Sequence, residues 1–272
     1  MAAMTLSRRI AFVRGAFWPT VCGVMTVIAV VAIALVPEPG LGTFVAIVGA
    51  ALTVTVSARP ITRALYQRLA LQHQARMDAA IADGDDATRR RLLDETDEYY
   101  RLYVRNSERM RLRLRASGLV SEERYAEALA LAGELDVDKL PAGERPAHAN
   151  LVAWCCAHAG ETARAVELAR ATAAAPAPPR LKPYLLGTLG AALVLDRQPT
   201  AAVAPLREAL ALGGPRSAQV VRRLYLGDAL AALGRLDEAR AEWNEAVTIA
   251  SKSRWGRRAQ ERLAAPVPAA YR

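Results

Sequence analysis

Two long apolar runs open the chain, and the remainder places apolar residues at helical spacing. Residues 16–36 and 41–58 contain no charged side chain, and a short segment, Pro37-Glu38-Pro39-Gly40, separates them. A helix needs about 20 residues to cross roughly 30 Å of bilayer hydrocarbon. The pattern therefore predicts a transmembrane hairpin over residues 1–58, with spans at about 16–36 and 41–58.

Arginines predict the orientation of this hairpin, because positive charge stays on the cytoplasmic side of a membrane. They flank both spans and are absent from the turn: Arg8, Arg9, Arg14, Arg59, Arg63 and Arg68. We therefore expect a two-span protein of a bacterial cytoplasmic membrane, with the lipid bilayer around the hairpin and both termini in the cytoplasm. The second span contains the small residues Gly42, Ala46 and Gly49, which permit close contact between helices. A homo-oligomer formed through the spans is therefore an open alternative.

Residues 59–116 are predicted to form a helical neck that ends in an arginine-rich stretch. Asp83-Gly84-Asp85-Asp86 is typical of a helix stop followed by a new N-cap, and residues 87–116 then predict one continuous helix. The arginines of its end are Arg105, Arg109, Arg111, Arg113 and Arg115. Three interpretations remain open for them: a solvated helix end, contact with anionic lipid, and nucleic acid. Nucleic acid is the least favoured, because no aromatic or glycine-rich recognition module accompanies the run.

The last part of the chain, residues 109–265, repeats with a period of 37. Ala128, Ala165, Ala202 and Ala239 mark equivalent helix centres, and a second helix precedes three of them. Pairs of helices at such a period predict an all-α chain that ends in a solenoid of about 3–4 helix pairs. Residues 253–263 are expected to form a capping helix with Trp255 packed inside.

The repeats resemble the tetratricopeptide repeat (TPR) family. Residues 220–253 carry the pattern Leu226-Gly227, Leu230, Gly234, Ala239, Trp243 and Ala246. The unit from Pro183 carries Leu189-Gly190, Leu193, Ala202, Leu206 and Ala209, but Arg197 stands where the turn glycine is usual. The resemblance covers about half of the chain and implies helical hairpins that present a groove to peptides or partner proteins.

In this family the first helix of each pair lines the groove, and the resemblance implies which residues do so here. Carried over by position, the expected partner-binding residues are Asn150, Trp154, His158, Tyr184, Thr188, Tyr225 and Asp228. Aromatic side chains of this kind supply much of the energy of protein interfaces. The alternative is that Trp154 and the tyrosines only pack between repeats.

The composition shows a net positive charge and few residues of the kinds used in catalysis or metal binding. Lys and Arg number 36 against 27 Asp and Glu, with three His and three Cys. His73, His148 and His158 are far apart in sequence and lack a neighbouring set of metal ligands, so no metal, cofactor or enzymatic activity is expected. Cys155 and Cys156 are expected to be buried, with reactive thiols as the alternative.

The sequence thus predicts a membrane-anchored scaffold or adaptor that offers a peptide groove to the cytoplasm. The alternative is a basic peripheral module that binds anionic lipid or nucleic acid.

Overall fold

The structure, a computed structural model, describes residues 67–104 and 107–264, together with Val24 and Ala64. The chain divides into two compact units, Met1–Ala75 and Arg76–Arg272. In the first unit the described residues are helical at 67–75 and at the two isolated positions. The second unit contains the predicted repeats together with most of the predicted neck.

The described part of the second unit is all-helical, as predicted, and contains no strand. Residues 76–82 are helical and are called α1. The helices that follow are α2 (Asp86–Tyr103), α3 (Glu108–Ser121), α4 (Tyr125–Gly133), α5 (Arg145–His158), α6 (Thr162–Ala174), α7 (Lys182–Leu195), α8 (Pro199–Ala211), α9 (Arg216–Ala232), α10 (Leu236–Ala250) and α11 (Arg254–Ala264). Short 3-10 helices, Val137–Lys139 and Pro179–Leu181, precede α5 and α7.

The predicted localisation, a two-span protein of the cytoplasmic membrane, is contradicted. Over residues 67–104 and 107–264, no helix has both the length and the apolar character that a bilayer crossing requires. The longest helix with both ends described, α2, has 18 residues and carries charged side chains in every turn. The predicted spans, 16–36 and 41–58, lie outside the described residues.

The predicted neck helix over 87–116 is in fact two helices. α2 ends at Tyr103, Val104 is extended, and α3 begins at Glu108. In one continuous helix, Asp97 and Arg111 would lie about 21 Å apart, since each residue adds 1.5 Å. Arg111 Nε instead donates to Asp97 Oδ1 at 2.8 Å, because α3 folds back against α2. The stop and N-cap predicted at 83–86 are present, with Asp85 accepting from the Thr88 backbone N–H at 2.9 Å.

Four helical hairpins follow one another with turns of the same geometry. Each first helix ends with a backbone N–H that bonds to the carbonyl five residues earlier, a C-terminal capping motif. The pairs are Arg124 to Leu119, Glu161 to Cys156, Gln198 to Leu193 and Arg235 to Leu230. Donors and acceptors both recur every 37 residues, so the turns that join α3–α4, α5–α6, α7–α8 and α9–α10 are structurally equivalent.

Alanine and glycine allow the paired helices to approach closely. The four alanines expected at equivalent centres, Ala128, Ala165, Ala202 and Ala239, are all completely buried. A Cβ added at Gly227 would collide with the Trp243 ring, and one added at Gly190 would collide with Leu206. These two contacts are also 37 residues apart. Each helix contacts its neighbours along the chain, and the first helices α3, α5, α7 and α9 and the last helix α11 also contact one another in succession, as expected for a solenoid-like stack.

The N-terminal end of the second unit packs against its C-terminal half. The Asp78 carboxylate of α1 accepts from the backbone N–H groups of Arg216 and Ser217, at 3.1 and 2.8 Å. These are the first residues of α9, whose own N-cap residue, Pro215, supplies no side-chain acceptor. Ala82, also in α1, is buried in the same core as α9. The unit is therefore closed by a contact between residues 138 positions apart.

Candidate functional site

Five rings from four helices meet on the face formed by the first helices of the pairs. We call Tyr125, Trp154, His158, Tyr225 and Trp255 the aromatic cluster. Tyr125 stacks on His158 with ring centroids 4.5 Å apart, and Trp154 contacts the same imidazole at 4.4 Å. Trp255 lies 6.0 Å from each of Trp154, His158 and Tyr225. The rings therefore join α4, α5, α9 and α11 into one packed group.

His158, at the centre of the cluster, is an uncharged imidazole. Burial lowers its pKa to about 3, and the positive charges of Arg258 and Arg254 act in the same direction. Its Nε2 is within hydrogen-bonding distance of the Tyr225 hydroxyl, at 3.3 Å. Burial also raises the pKa of that hydroxyl. The pair is held as neutral partners of a packing contact, and neither group titrates near pH 7.

Helix α11 holds Trp255 in the cluster through its arginines. Arg254 and Arg258 stack over the Trp255 ring, with guanidinium carbons 4.7 and 4.8 Å from a ring centroid. Arg258 also pairs with Glu123 at 2.8 Å, and Arg254 donates to the Ser121 carbonyl at the end of α3 at 2.9 Å. α11 is thus tied across the first-helix face to the turn between α3 and α4.

Asp228 of α9 is a second attachment point for α11. Its carboxylate is only 4% exposed and accepts from Arg262 Nε at 3.0 Å and from Trp243 Nε1 at 3.2 Å. Burial raises the pKa of this carboxyl, and the neighbouring Arg262 opposes the rise. The arginine therefore compensates a charge that is costly to bury.

A cavity of about 600 Å³ remains beside the cluster, and we call it the first-helix cavity. It lies between the ends of α5, α7 and α9 and the inner side of α11. Its walls are partly apolar and partly cationic, and are formed by His158, Val194, Leu195, Arg197, Pro199, Leu224, Tyr225, Asp228, Ala232, Trp255, Arg258 and Arg262. Its size is in the range of small-ligand and peptide side-chain pockets.

Four of the predicted partner-binding residues come together here, and three do not. Trp154, His158 and Tyr225 belong to the aromatic cluster, while His158, Tyr225 and Asp228 line the cavity. The other three do not line it. Asn150 is half-buried one turn earlier on α5, Thr188 is buried in α7, and Tyr184 lies beneath the Arg222 guanidinium. The predicted partner-binding residues thus do not form a continuous strip along the first-helix face, and the four that come together lie at one end of it.

The arginine-rich stretch is largely engaged within the protein. Arg111 pairs with Asp97, Arg113 pairs with Glu144 at 3.1 Å, and Arg109 donates to the Lys139 carbonyl at 3.2 Å. Arg115 is exposed, and Arg105 lies outside the described residues. The interpretation as a solvated helix end does not describe Arg109, Arg111 and Arg113, because α2 and the segment just before α5 bring acceptors to them.

Cys155 and Cys156 are completely buried on α5, as expected for small apolar residues. Burial raises the pKa of Cys155 to about 12 and shifts that of Cys156 in the same direction. A thiol in this state is a poor nucleophile. Over the described ranges, no group of three or more His, Cys, Asp or Glu residues is arranged to hold a metal ion.

The position of α11 on the first-helix face was not predicted from the sequence. The expected helix is present with Trp255 buried, and it also contacts α3, α5 and α9. A signal for this was available, because Arg254, Arg258 and Arg262 recur every four residues along one side of the helix. Glu123, which occupies the position equivalent to the turn glycines Gly160 and Gly234, was not predicted either.

Comparisons with known proteins give no assignment: no family model, curated protein or solved structure matches the chain.

Proposed function

We propose that the first-helix cavity binds a segment of another protein, and that the chain is a TPR-type scaffold or adaptor. The observation that carries this proposal is the way in which α11 occupies the same face. One aromatic side chain, Trp255, enters the ring cluster, and the ion pair between Arg262 and Asp228 fixes the helix beside it. Aromatic anchors combined with charged pairs are the usual means by which protein segments bind such surfaces.

The remaining cavity offers the same chemistry to a second segment. Leu224 and Leu195 give it apolar walls, Tyr225 and Trp255 give it aromatic ones, and arginines line its edge. The repeat pattern in the sequence supports the same interpretation, because stacked helix pairs commonly bind partners along their first helices. His158 and Cys155 give little support for a catalytic function, because their shifted pKa values keep both side chains unreactive at neutral pH.

The alternative function, a basic module that binds polyanions, has less support. Three of the five arginines that suggested it already bind acceptors within the protein, so a polyanion would have to compete with Asp97, Glu144 and a backbone carbonyl. Among the four of these arginines that the structure describes, Arg115 is the exposed one, and a single exposed charge adds little affinity.

A photocrosslinking amino acid placed in the cavity tests the proposal. Replacing Val194, which lines the cavity, should give a discrete set of protein adducts in cells on illumination. The matched control replaces Ala204, which is exposed on α8, the second helix of the same pair. Adducts formed from position 194 and absent at position 204 would support a partner in the cavity. Equal patterns from both positions, or none from either, would contradict it.

A further inference from the structure

Charged residues occupy two hairpin turns at positions where the backbone conformation is one that only glycine adopts without strain. The four equivalent turn positions are Glu123, Gly160, Arg197 and Gly234, and their φ angles are +62°, +93°, +59° and +77°. A left-handed backbone suits glycine, whereas any residue with a Cβ adopts it at an energetic cost. Glu123 and Arg197 are the two described non-glycine residues with positive φ. Strained residues of this kind are concentrated at functional positions.

The side chain of Glu123 is used on the first-helix face. It accepts from Arg258 at 2.8 Å and lies 3.6 Å from Arg254, so it fastens α11 to the first hairpin. A side chain at this turn position can therefore reach the first-helix face. Arg197, at the equivalent position two hairpins later, lines the first-helix cavity together with Arg258 and Arg262.

The cavity has more cationic than anionic groups. Three arginines line it, against one carboxylate, Asp228, which already accepts from Arg262. Arg258 is paired with Glu123, and the imidazole of His158 is neutral. Arg197 forms no ion pair with any described residue, and it is exposed at the edge of the cavity. The guanidinium of Arg197 at this opening is thus available to bind an anionic group of a ligand.

We propose that Arg197 makes the cavity specific for acidic protein segments. A side-chain carboxylate of the bound segment pairs with the Arg197 guanidinium at the opening. A neighbouring apolar side chain of the same segment enters the cavity against Leu224 and Trp255. The inference rests on the proposed function, and it adds the chemical class of the partner. A guanidinium binds a carboxylate through two parallel N–H···O bonds, which gives this contact direction as well as charge.

Replacing Arg197 by glycine separates binding from stability. Glycine adopts φ near +59° without strain, which offsets its larger freedom in the unfolded chain. We expect Arg197→Gly to unfold at the same temperature as the wild type or higher, although it loses the cationic group. The matched control is Arg240→Ala, which removes the same charge from an exposed position on α10, away from the cavity.

The probe is a phage-displayed library of random twelve-residue peptides, panned against the full-length protein and both variants. Wild type and Arg240→Ala should enrich peptides in which Asp or Glu neighbours a large apolar residue, whereas Arg197→Gly should lose the acidic preference. For one enriched peptide, Arg197→Gly should raise Kd about tenfold, as should a change of its acidic residue to the amide. Raising salt should weaken the wild-type complex more than that of Arg197→Gly.

Two different failures are distinguishable. Enrichment of peptides without acidic preference, or equal Kd values for wild type and Arg197→Gly, would overturn the specificity proposed for Arg197 and leave partner binding intact. No enrichment over bare support, together with no adduct from position 194, would overturn the proposed function and this inference with it. A fall in the melting temperature of Arg197→Gly would show that the arginine serves the fold, and would likewise overturn its role in specificity.

Discussion

At the scale of single residues, His158 at the centre of the aromatic cluster has a strongly lowered pKa. Its imidazole is enclosed by Tyr125, Trp154, Tyr225 and Trp255, and two arginines lie near enough to oppose its protonation. The aromatic neighbours exclude water, so the charged form loses its hydration without gaining an acidic partner. The sequence showed a lone histidine on a first helix, but apart from Trp154 the residues that lower its pKa lie 33 to 100 positions away.

We expect this histidine to make the protein less stable as the pH falls. In the unfolded chain a histidine has a pKa of about 6.5, so below that pH the unfolded state binds a proton that the native state, with a pKa of about 3, refuses. Between pH 7.5 and 5.5 the free energy of unfolding should fall by about 1.4 kcal/mol through His158 alone. Denaturant unfolding of wild type and His158→Phe at both pH values measures this contribution. Equal pH dependence in the two proteins would contradict it.

Residue-scale prediction from sequence was most successful where contacts repeat. The alanines at period 37 were expected to mark helix contacts, and all four are buried because the partner helix leaves no room for a longer side chain. The predicted groove residues were less accurate. Thr188 stands 37 residues before Tyr225, at the equivalent helical position, yet the aromatic cluster forms only where α11 brings Trp255 against the face. Helical spacing gives the direction of a side chain but not which neighbour covers it.

At the scale of elements, α11 is attached to the first-helix face mainly through polar contacts. Apart from Trp255, its buried positions are Gly256 and Ala259, which contribute little apolar area. The ion pair of Arg262 with Asp228 therefore has a larger share in its attachment than a surface pair would have, because the carboxylate is buried.

We expect Arg262→Ala to destabilise the protein by about 1–3 kcal/mol, since it leaves the Asp228 carboxylate buried without its cation. Adding Asp228→Asn should recover most of this loss, because an amide keeps an acceptor for Trp243 without a charge. Thermal unfolding of the single and double variants gives the comparison. Arg257→Ala, an exposed arginine on the same helix, should change stability by less than about 0.5 kcal/mol. A double variant no more stable than Arg262→Ala would show that the ion pair does not hold α11.

The neck shows what limits prediction at this scale. Residues 87–116 have continuous helical spacing, and the sequence gives no glycine or proline between α2 and α3 to indicate an end. The chain nevertheless reverses near Val104. The pair of Arg111 with Asp97 stabilises the reversed arrangement, and the pair of Arg113 with Glu144 joins α3 to the start of α5. Local periodicity cannot distinguish these tertiary pairs from the helical pairs at i and i+4 that the same charges also permit.

At the scale of the whole molecule, α1 belongs with the repeats although 138 residues separate the partners. Its Asp78 serves as the N-cap that α9 lacks, and Asp83 lies 3.8 Å from Arg216 of the same helix. No sequence pattern could indicate this contact, because an aspartate capping a distant helix has no fixed spacing from it. The neck and the repeats, predicted as successive domains, are one compact unit from Arg76 onwards.

We therefore expect a fragment of residues 76–272 to be more stable than one of residues 87–272. The shorter fragment loses the cap on α9, the Arg216 ion pair and the buried Ala82 together. In the longer fragment, Asp78→Ala should by itself cost about 1 kcal/mol, the usual effect of removing an N-cap side chain. Thermal unfolding followed by circular dichroism compares the three proteins. If the two fragments unfold at the same temperature, α1 adds nothing to the unit. If Asp78→Ala matches the shorter fragment, the cap accounts for the whole contribution of α1, and Ala82 contributes no measurable stability.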